Sequence, residues 1–185
     1  MDQERANGRI ARQIDAWRRV ATTSFLCAAL LATCPAKAAS PVKLALFDFE
    51  LEDFTDRPVG ETPSDSEQLR RVTDEVRELL AQSGRYSLID VGGADAAVAK
   101  KHALRDCNGC DADIALKLGA EQSFIGVVKR ISRTEYTIRF QIRDAPTGAV
   151  VATEDSGLRM GADYSWSRGA SRLIKDRLLE SQPRQ

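Results

Sequence analysis

The stretch EYTIRFQIR at residues 135–143 determines how the rest of the sequence is interpreted. Apolar and polar side chains alternate along it, and a strand places alternate side chains on opposite faces of a sheet. The segment therefore predicts a strand with one buried face and one face in contact with solvent. Its apolar residues are Tyr136, Ile138, Phe140 and Ile142.

Two further strands flank this segment. An apolar stretch over 123–132 precedes it, and the turn-forming sequence DAPTG at 144–148 leads into a strand over 149–158. Strands that are joined by short turns pair in antiparallel fashion. The three strands therefore predict an antiparallel meander.

The amino-terminal half of the sequence predicts a β-α-β unit. Residues 42–49, VKLALFDF, form a nearly unbroken apolar run that is typical of a strand buried on both faces. A helix follows, with Ser64 and Glu67 as a capping box, and Gly84 ends it before a second strand over 86–91. This order favours a right-handed crossover between the two strands.

Three more helices complete the pattern. One covers about 94–101, and another begins at Asp111 or Asp113 and ends at Gly119. The last covers about 163–180, where apolar residues recur at helical spacing. The predicted fold class is α/β (α+β), with a mixed sheet of about five strands in the order β-α-β-α-α-β-β-β-α and helices packed over it.

The amino terminus predicts export. Arginines precede an apolar run over 20–33, and small residues at Ala36 and Ala38 occupy the positions that a signal peptidase reads. This run is shorter than the roughly 20 residues that span a bilayer, which favours a cleaved signal peptide over 1–38 and release into the periplasm. The alternative is a lipoprotein anchored at Cys34, although Thr33 is an unusual residue before a lipidated cysteine.

Composition restricts the remaining chain to a few functional classes. We interpret it as one α/β domain over 39–181 and a disordered tail over 182–185. The whole chain has 27 basic and 27 acidic residues, and residues 1–38 contain more basic than acidic side chains, so the exported part is slightly acidic. Such a surface attracts neither nucleic acid nor anionic lipid, and we expect no stable membrane insertion after signal cleavage.

Cys107 and Cys110 are the two cysteines that remain after signal cleavage. An isolated pair in an oxidising compartment predicts a disulfide. Thiol–disulfide exchange and metal binding are the alternatives. A zinc site would need two more ligands, and His102 is the nearby nitrogen donor.

Two groups of charged residues are candidate binding sites. At the end of the first strand, four carboxylates could hold a hard cation or a cationic ligand: Asp48, Glu50, Glu52 and Asp53. On the solvent face of the strand over 135–143, Arg139 and Arg143 could receive an acidic partner. Lys129 or Arg130 from the neighbouring strand could join them. For both groups, the alternative is ordinary solvated charge and surface ion pairs.

Four segments carry a family resemblance: KLALFDF at 43–49, SGRY at 83–86, IALKLGA at 114–120 and RDAPTG at 143–148. In this order they resemble the amino-terminal domain of TolB-like and CsgG-like envelope proteins, over roughly 42–156. The segment DCNGC at 106–110 instead resembles a family of secreted proteobacterial proteins of unknown function. The resemblance implies an envelope adaptor, sensor or assembly accessory and transfers no catalytic residues.

These observations predict a non-enzymatic periplasmic adaptor or accessory protein that binds another envelope protein. The chain has a single histidine and no glycine-rich phosphate loop, so we predict no catalytic residue, no cofactor and no metal ligand. A small-ligand or metal-binding periplasmic sensor is one alternative, and a thiol–disulfide redox module is the other. The identity of the partner is not encoded in any motif of the sequence.

Overall fold

The structure is a computed structural model, and it describes residues 40–55, 62–92 and 103–180. The predicted signal peptide with Cys34, the helix predicted over 94–101, His102 and the predicted tail over 182–185 lie outside the described residues. In the described part, no helix is both long enough and apolar enough to cross a membrane.

The described residues form a mixed sheet with α-helices packed over it, which confirms the predicted fold class. In chain order the elements are β1 (Val42–Leu46), β2 (Glu50–Asp53), α1 (Pro63–Gln82), β3 (Tyr86–Ile89), α2 (Cys110–Lys117), β4 (Gln122–Arg130), β5 (Glu135–Asp144), β6 (Val150–Asp155), β7 (Arg159–Met160) and α3 (Trp166–Ile174). Two 3-10 turns, Leu104–Asp106 and Asp163–Ser165, precede α2 and α3, and a π-helical segment, Lys175–Leu179, follows α3.

The strand order along the sheet is β3-β1-β4-β5-β6. β1 pairs in parallel with both β3 and β4, as a β-α-β crossover requires. β4, β5 and β6 pair in antiparallel fashion and confirm the predicted meander. Two short strands extend this sheet, since β2 pairs in parallel with the second half of β4 and β7 pairs with β5. The sheet therefore has seven strands in the described part instead of about five.

The strand predicted over 42–49 is present but shorter: β1 ends at Leu46, and residues 47–49 form a break between β1 and β2. At the break, the Phe49 N–H donates to Thr73 Oγ1 of α1 at 2.9 Å instead of to a neighbouring strand. The Phe49 ring packs against Gly126 of β4, where an added Cβ would lie 2.3 Å from the ring. Phe49 is buried, so the apolar pattern continues through the break and does not reveal it.

The predicted capping box of α1 is also wrong, because the helix begins earlier than Ser64. Thr62 is the N-cap: its Oγ1 accepts from the Asp65 N–H at 3.2 Å, and the Asp65 carboxylate accepts from the Thr62 N–H at 3.0 Å. Pro63 occupies the first helical position, where its missing N–H costs nothing and its fixed φ suits the helix. Glu67 therefore lies within the helix.

The other two predicted helices differ at their ends. α2 is capped by Gly109, with φ 108°, instead of by Asp111 or Asp113, and Gly119, with φ 78°, follows its end as predicted. The helix predicted over 163–180 is a 3-10 turn, an α-helix and a π-helical segment in succession.

The helices cover the two faces of the sheet unequally. On one face, here called the covered face, α1 and α3 enclose the larger core, which includes Leu44, Val72, Val76, Phe124, Phe140, Trp166 and Ile174. On the opposite face, here called the open face, α2 and the turn Leu104–Asp106 enclose a smaller core, which includes Ala45, Phe47, Ile114, Ala115 and Ile125. On the open face, part of the sheet beside α2 therefore remains accessible to solvent.

Candidate functional site: an arginine-lined cleft on the open face

The register between β4 and β5 assigns the predicted basic residues to faces. Arg139, Gln141 and Arg143 alternate with the buried residues of β5 and lie on the open face. Lys129 of β4 pairs with Thr137 and lies on the same face, whereas Arg130 pairs with the buried Tyr136 and lies on the covered face. Of the two residues predicted to join the arginine pair, the structure thus places Lys129 there and not Arg130.

A cleft of about 230 Å³ lies on the open face, between the sheet and the segment that precedes α2. Ile125 and Val127 of β4 contribute apolar lining. Its polar lining includes three guanidinium groups and two amides: Arg105, Arg139, Arg143, Asn108 and Gln141. The cleft therefore combines an apolar sheet surface with arginine and amide groups, and the Asp106 carboxylate also lines it.

Arg143 is fixed within this cleft by groups of the protein itself. Its Nη1 donates to the Gly148 carbonyl at 2.9 Å, and its Nη2 donates to Asn108 Oδ1 at 3.1 Å. Its Nε lies 3.5 Å from Oδ1 of Asp111, a fully buried carboxylate that also accepts from Ser123 Oγ at 2.6 Å. Arg143 therefore shapes the cleft and has little freedom to turn toward a ligand.

Arg105 is held in a similar way by Glu50. Its Nη1 lies 2.9 Å from Glu50 Oε2, and the same carboxylate accepts from the backbone N–H groups of Leu104 and Arg105. The pair ties the turn Leu104–Asp106 to β2. The charge of Arg105 is therefore largely compensated.

Arg139 differs from the other two arginines because it is exposed and its side chain forms no hydrogen bond or ion pair with any described residue. It lies opposite Asp155 of β6, but Oδ1 of that carboxylate accepts from the Gly157 N–H at 2.7 Å. The Arg139 guanidinium therefore presents donors to solvent at the cleft.

The four predicted ligand-binding carboxylates do not converge on one point. Each has a basic partner of its own: Asp48–Arg77 (3.8 Å), Glu50–Arg105 (2.9 Å), Glu52–Lys129 (3.2 Å) and Asp53–Arg130 (2.6 Å). β2 directs Glu50 and Glu52 to the open face and Asp53 to the covered face. Among the described residues, no three histidine, cysteine or carboxylate side chains are grouped so as to hold a metal ion.

Arg130 is the centre of a buried ionic cluster on the covered face. Only 1% of its side chain is exposed, and it pairs with Asp53 at 2.6 Å, with Asp163 at 3.2 Å and with Asp65. Its guanidinium carbon lies 5.0 Å from the centroid of the Trp166 ring. The cluster joins β2, α1, β4 and the turn before α3, so its role is to hold the fold together.

The pKa values of this cluster reflect a balance between burial and hydrogen bonding. Burial alone would raise the pKa of Asp65, but hydrogen bonds from Arg130 and Thr62 outweigh it and lower the pKa below its usual value. Burial likewise opposes the charged form of Asp53, and hydrogen bonds from Thr55 and Arg130 lower its pKa. Both carboxylates are therefore ionised at neutral pH.

A disulfide joins Cys107 and Cys110 with a Cα–Cα distance of 5.7 Å, as the sequence predicted. It encloses Asn108 and Gly109, and Asn108 contacts Arg143. The disulfide loop therefore forms part of the cleft lining beside the arginines. The sequence alone does not indicate that the cysteine pair and the arginine pair lie close together.

The sequence did not indicate that Arg105 and Asn108 belong to the cleft. Arg105 and Asn108 lie in a short irregular segment that shows no periodicity, and they meet the strand arginines only through tertiary contacts. The proximity of DCNGC to a helix start was the one available signal, and it does not specify which sheet face the segment packs against.

Comparison with family models gives one match over most of the chain. The model of the DUF3280 family, described as "Protein of unknown function (DUF2380)", matches residues 42–178. This range includes every strand and α-helix described above. No curated protein sequence matches the chain.

Several solved structures are similar to this chain at low sequence identity. The LpoB C-terminal domain from Salmonella enterica is 14% identical with a TM-score of 0.47, over 68% of this chain and 87% of that chain. The PelC dodecamer from Paraburkholderia phytofirmans is 20% identical with a TM-score of 0.48, over 80% and 91%. Lipoprotein GNA1162 from Neisseria meningitidis is 10% identical with a TM-score of 0.48, over 74% and 94%. These likenesses carry no conclusion about this chain, and its resemblance to TolB-like and CsgG-like domains stays a prediction.

Proposed function

We propose that this chain, which belongs to the DUF3280 family of proteins of unknown function, is a non-enzymatic accessory protein of the bacterial envelope that binds another envelope protein through an acidic segment. The observation that carries the proposal is the exposed Arg139 at the arginine-lined cleft. Guanidinium groups form strong, charge-assisted hydrogen bonds with carboxylates. An acidic side chain of a partner is the group that this position fits.

The rest of the cleft supports binding by being rigid. Arg143 and Arg105 are already fixed by Asp111, Asn108 and Glu50, so they keep their positions without a ligand. A site whose side chains are ordered beforehand loses less conformational entropy when a partner binds. Arg139 therefore projects from a prepared surface.

The predicted signal peptide over 1–38 supports the periplasm as the compartment in which this binding occurs. The disulfide between Cys107 and Cys110 fits an oxidising environment. Anchoring at Cys34 would place the same domain at a membrane surface and would leave the cleft unchanged. The proposal therefore holds for either form of the exported protein.

Site-specific crosslinking tests this function. A photo-crosslinking amino acid at Thr137, on the open face, is introduced into the tagged, exported full chain in cells. We expect it to capture one envelope protein that can be identified and purified. With that purified partner, Arg139→Glu should weaken binding about tenfold or more, because it replaces a charge-assisted pair with like-charge repulsion.

Arg168→Glu is the matched control. Arg168 is an exposed arginine on α3, remote from the cleft, so the variant makes the same change in net charge. Its affinity for the partner should equal that of the wild type. Equal affinities for wild type and Arg139→Glu, or no captured protein above background, would contradict the proposed function.

A further inference from the structure

Three large apolar side chains are exposed at the end of the open face nearest β7. Phe54, Ile131 and Met160 are 58%, 41% and 73% exposed, and we call them the end patch. Backbone hydrogen bonds align the chain segments that carry them: Phe54 N–H donates to the Arg130 carbonyl, and Ile131 N–H donates to the Glu135 carbonyl, both at 2.9 Å. Met160 pairs with Glu135 in the register of β5 and β7. The end patch is thus a row across neighbouring segments.

Lys129 lies between the end patch and the cleft, and its charge is already compensated. Its Nζ is 3.2 Å from Glu52 Oε2 and 5.5 Å from the centroid of the Phe54 ring. A ligand that crosses this part of the open face therefore meets an ion pair with no net charge. On one side of it lies Arg139, which has no partner among the described residues, and on the other side lies the end patch, whose three side chains are exposed.

The spacing between these two features is set by the strand geometry. Glu135, which lies in the row of the end patch, is four residues before Arg139 on β5. A strand rises about 3.3 Å per residue, so the two rows are about 13 Å apart on the same face. Residues i and i+4 of an extended ligand have the same separation and also point to one side.

The charges near the end patch fix which end of the ligand is acidic. Glu135 contributes a carboxylate at the row of the end patch, held near Ser132 Oγ at 3.2 Å, and it repels an acidic group there. Arg139 attracts an acidic group at the other row. A small anion would leave the end patch in water, and a purely apolar segment would leave Arg139 without a partner.

We infer that the partner binds through an extended segment that places a carboxylate on Arg139 and a large apolar side chain, four residues away, on the end patch. This inference rests on the proposed function and specifies the chemistry of the partner segment. The apolar side chain gains contact with Ile131 and Met160, which lie on either side of Glu135 in the row, and the carboxylate supplies specificity for the cleft.

Peptides test the inference on the purified, disulfide-bonded exported domain. The probe is a capped peptide with a glutamate and a phenylalanine four residues apart, separated by serine and threonine. Binding is measured by titration with backbone amide chemical shifts as the readout. We expect shifts confined to the open face, and at least fivefold weaker binding when glutamine replaces the glutamate, when serine replaces the phenylalanine, or when the spacing is reduced to three residues.

Protein variants separate this inference from the proposed function. Ile131→Thr with Met160→Gln removes most of the end patch, and Leu116→Gln is the control because Leu116 is an exposed apolar residue on α2. We expect the end-patch variant to bind the peptide at least fivefold more weakly than the wild type and the control variant to bind it equally. Since all three side chains are exposed, none of these changes removes a core contact.

Two results would overturn the inference. In the first, the peptide does not bind, or its binding is insensitive to the spacing and to the end-patch variant. In the second, the partner captured in cells loses affinity with Arg139→Glu and keeps it with the end-patch variant. The second result leaves the proposed function intact and removes only the apolar contact. If the affinity of the captured partner is insensitive to Arg139→Glu as well, both the inference and the proposed function are contradicted.

Discussion

Arg130 and Arg139 lie on neighbouring antiparallel strands and show how the two faces of one sheet differ. Arg130 points to the covered face, is 1% exposed and pairs with Asp53, Asp65 and Asp163. Arg139 points to the open face, is exposed and has no partner among the described residues. The residue type is the same in both positions, so the difference arises from what packs over each face.

Packing decides the role of each arginine. On the covered face, the start of α1 and the turn before α3 bring Asp65 and Asp163 to the buried guanidinium, which a buried charge requires. On the open face, no described helix brings a carboxylate to Arg139. One arginine therefore stabilises the fold, and the other remains able to bind a ligand.

The largest effect that this comparison predicts follows the removal of the buried charge. Arg130→Met leaves Asp53 and Asp65 buried or partly buried without their cation, and breaking such a pair from one side costs about 3–5 kcal/mol. We expect the free energy of unfolding, measured by urea denaturation at pH 7, to fall by this amount. Arg168→Met, at an exposed position on α3, should change it by less than about 0.5 kcal/mol.

A double substitution sharpens this prediction. Asp65→Asn removes the charge of the buried partner, so Arg130→Met combined with Asp65→Asn should be more stable than the sum of the two single changes predicts. Additive effects would show that the two side chains are not coupled. A loss below about 1 kcal/mol for Arg130→Met alone would contradict a structural role for the cluster.

A second way to break the covered face is to add one methyl group. In Gly126→Ala, the new Cβ would lie 2.3 Å from the Phe49 ring, which forces the ring away from β4 and from the Phe124 ring that it packs against. Overpacking of this kind costs about 1–3 kcal/mol. Thr137→Ala, on the open face of β5, should cost less than about 0.5 kcal/mol in the same denaturation experiment. Equal losses of stability for Gly126→Ala and Thr137→Ala would show that stability does not depend more on the covered face than on the open face.

The sequence predicted what depends on local periodicity. Alternation along 135–143 correctly predicted that Arg139 and Arg143 lie on one face of a strand. The short turns correctly predicted the antiparallel meander of β4, β5 and β6. The face occupied by Arg130 could not be assigned in this way, because it depends on the register between β4 and β5. The turn between the two strands sets that register, and the sequence alone was compatible with Arg130 on either face of the sheet.

Features that depend on tertiary contacts were not predictable. At the break, Phe49 forms a hydrogen bond with Thr73 on α1, and no local sequence pattern indicates this contact. Arg139 and Arg143 looked equivalent in the sequence, yet Arg143 is fixed by Asp111 and Asn108 from a distant segment. Only the folded chain distinguishes the arginine that shapes the cleft from the one that remains free.

Acid should weaken the covered face through Asp53 and Asp65. Their pKa values are lowered in the folded state, so they stabilise it fully above about pH 5 and lose this contribution as the pH falls through their folded-state pKa values, below the ordinary value of 3.8. We expect the free energy of unfolding of the wild type to decrease as the pH is lowered from 5 to about 3. In Asp65→Asn the decrease should be shallower. If the free energy of unfolding falls equally with pH in the wild type and in Asp65→Asn, Asp65 does not contribute to the effect of acid.

The smallest expected change in stability is at Arg139. Arg139→Gln removes an exposed charge without a partner, so the free energy of unfolding should change by less than about 0.5 kcal/mol. Partner binding should nevertheless fall about tenfold, because the charge-assisted hydrogen bonds to a carboxylate are lost. Urea denaturation and affinity measurements on the same purified variant test both statements together. A large loss of stability would show that Arg139, like Arg130, stabilises the fold. A loss of affinity without a loss of stability would show that the exposed arginine serves binding alone, because nothing in the fold depends on it.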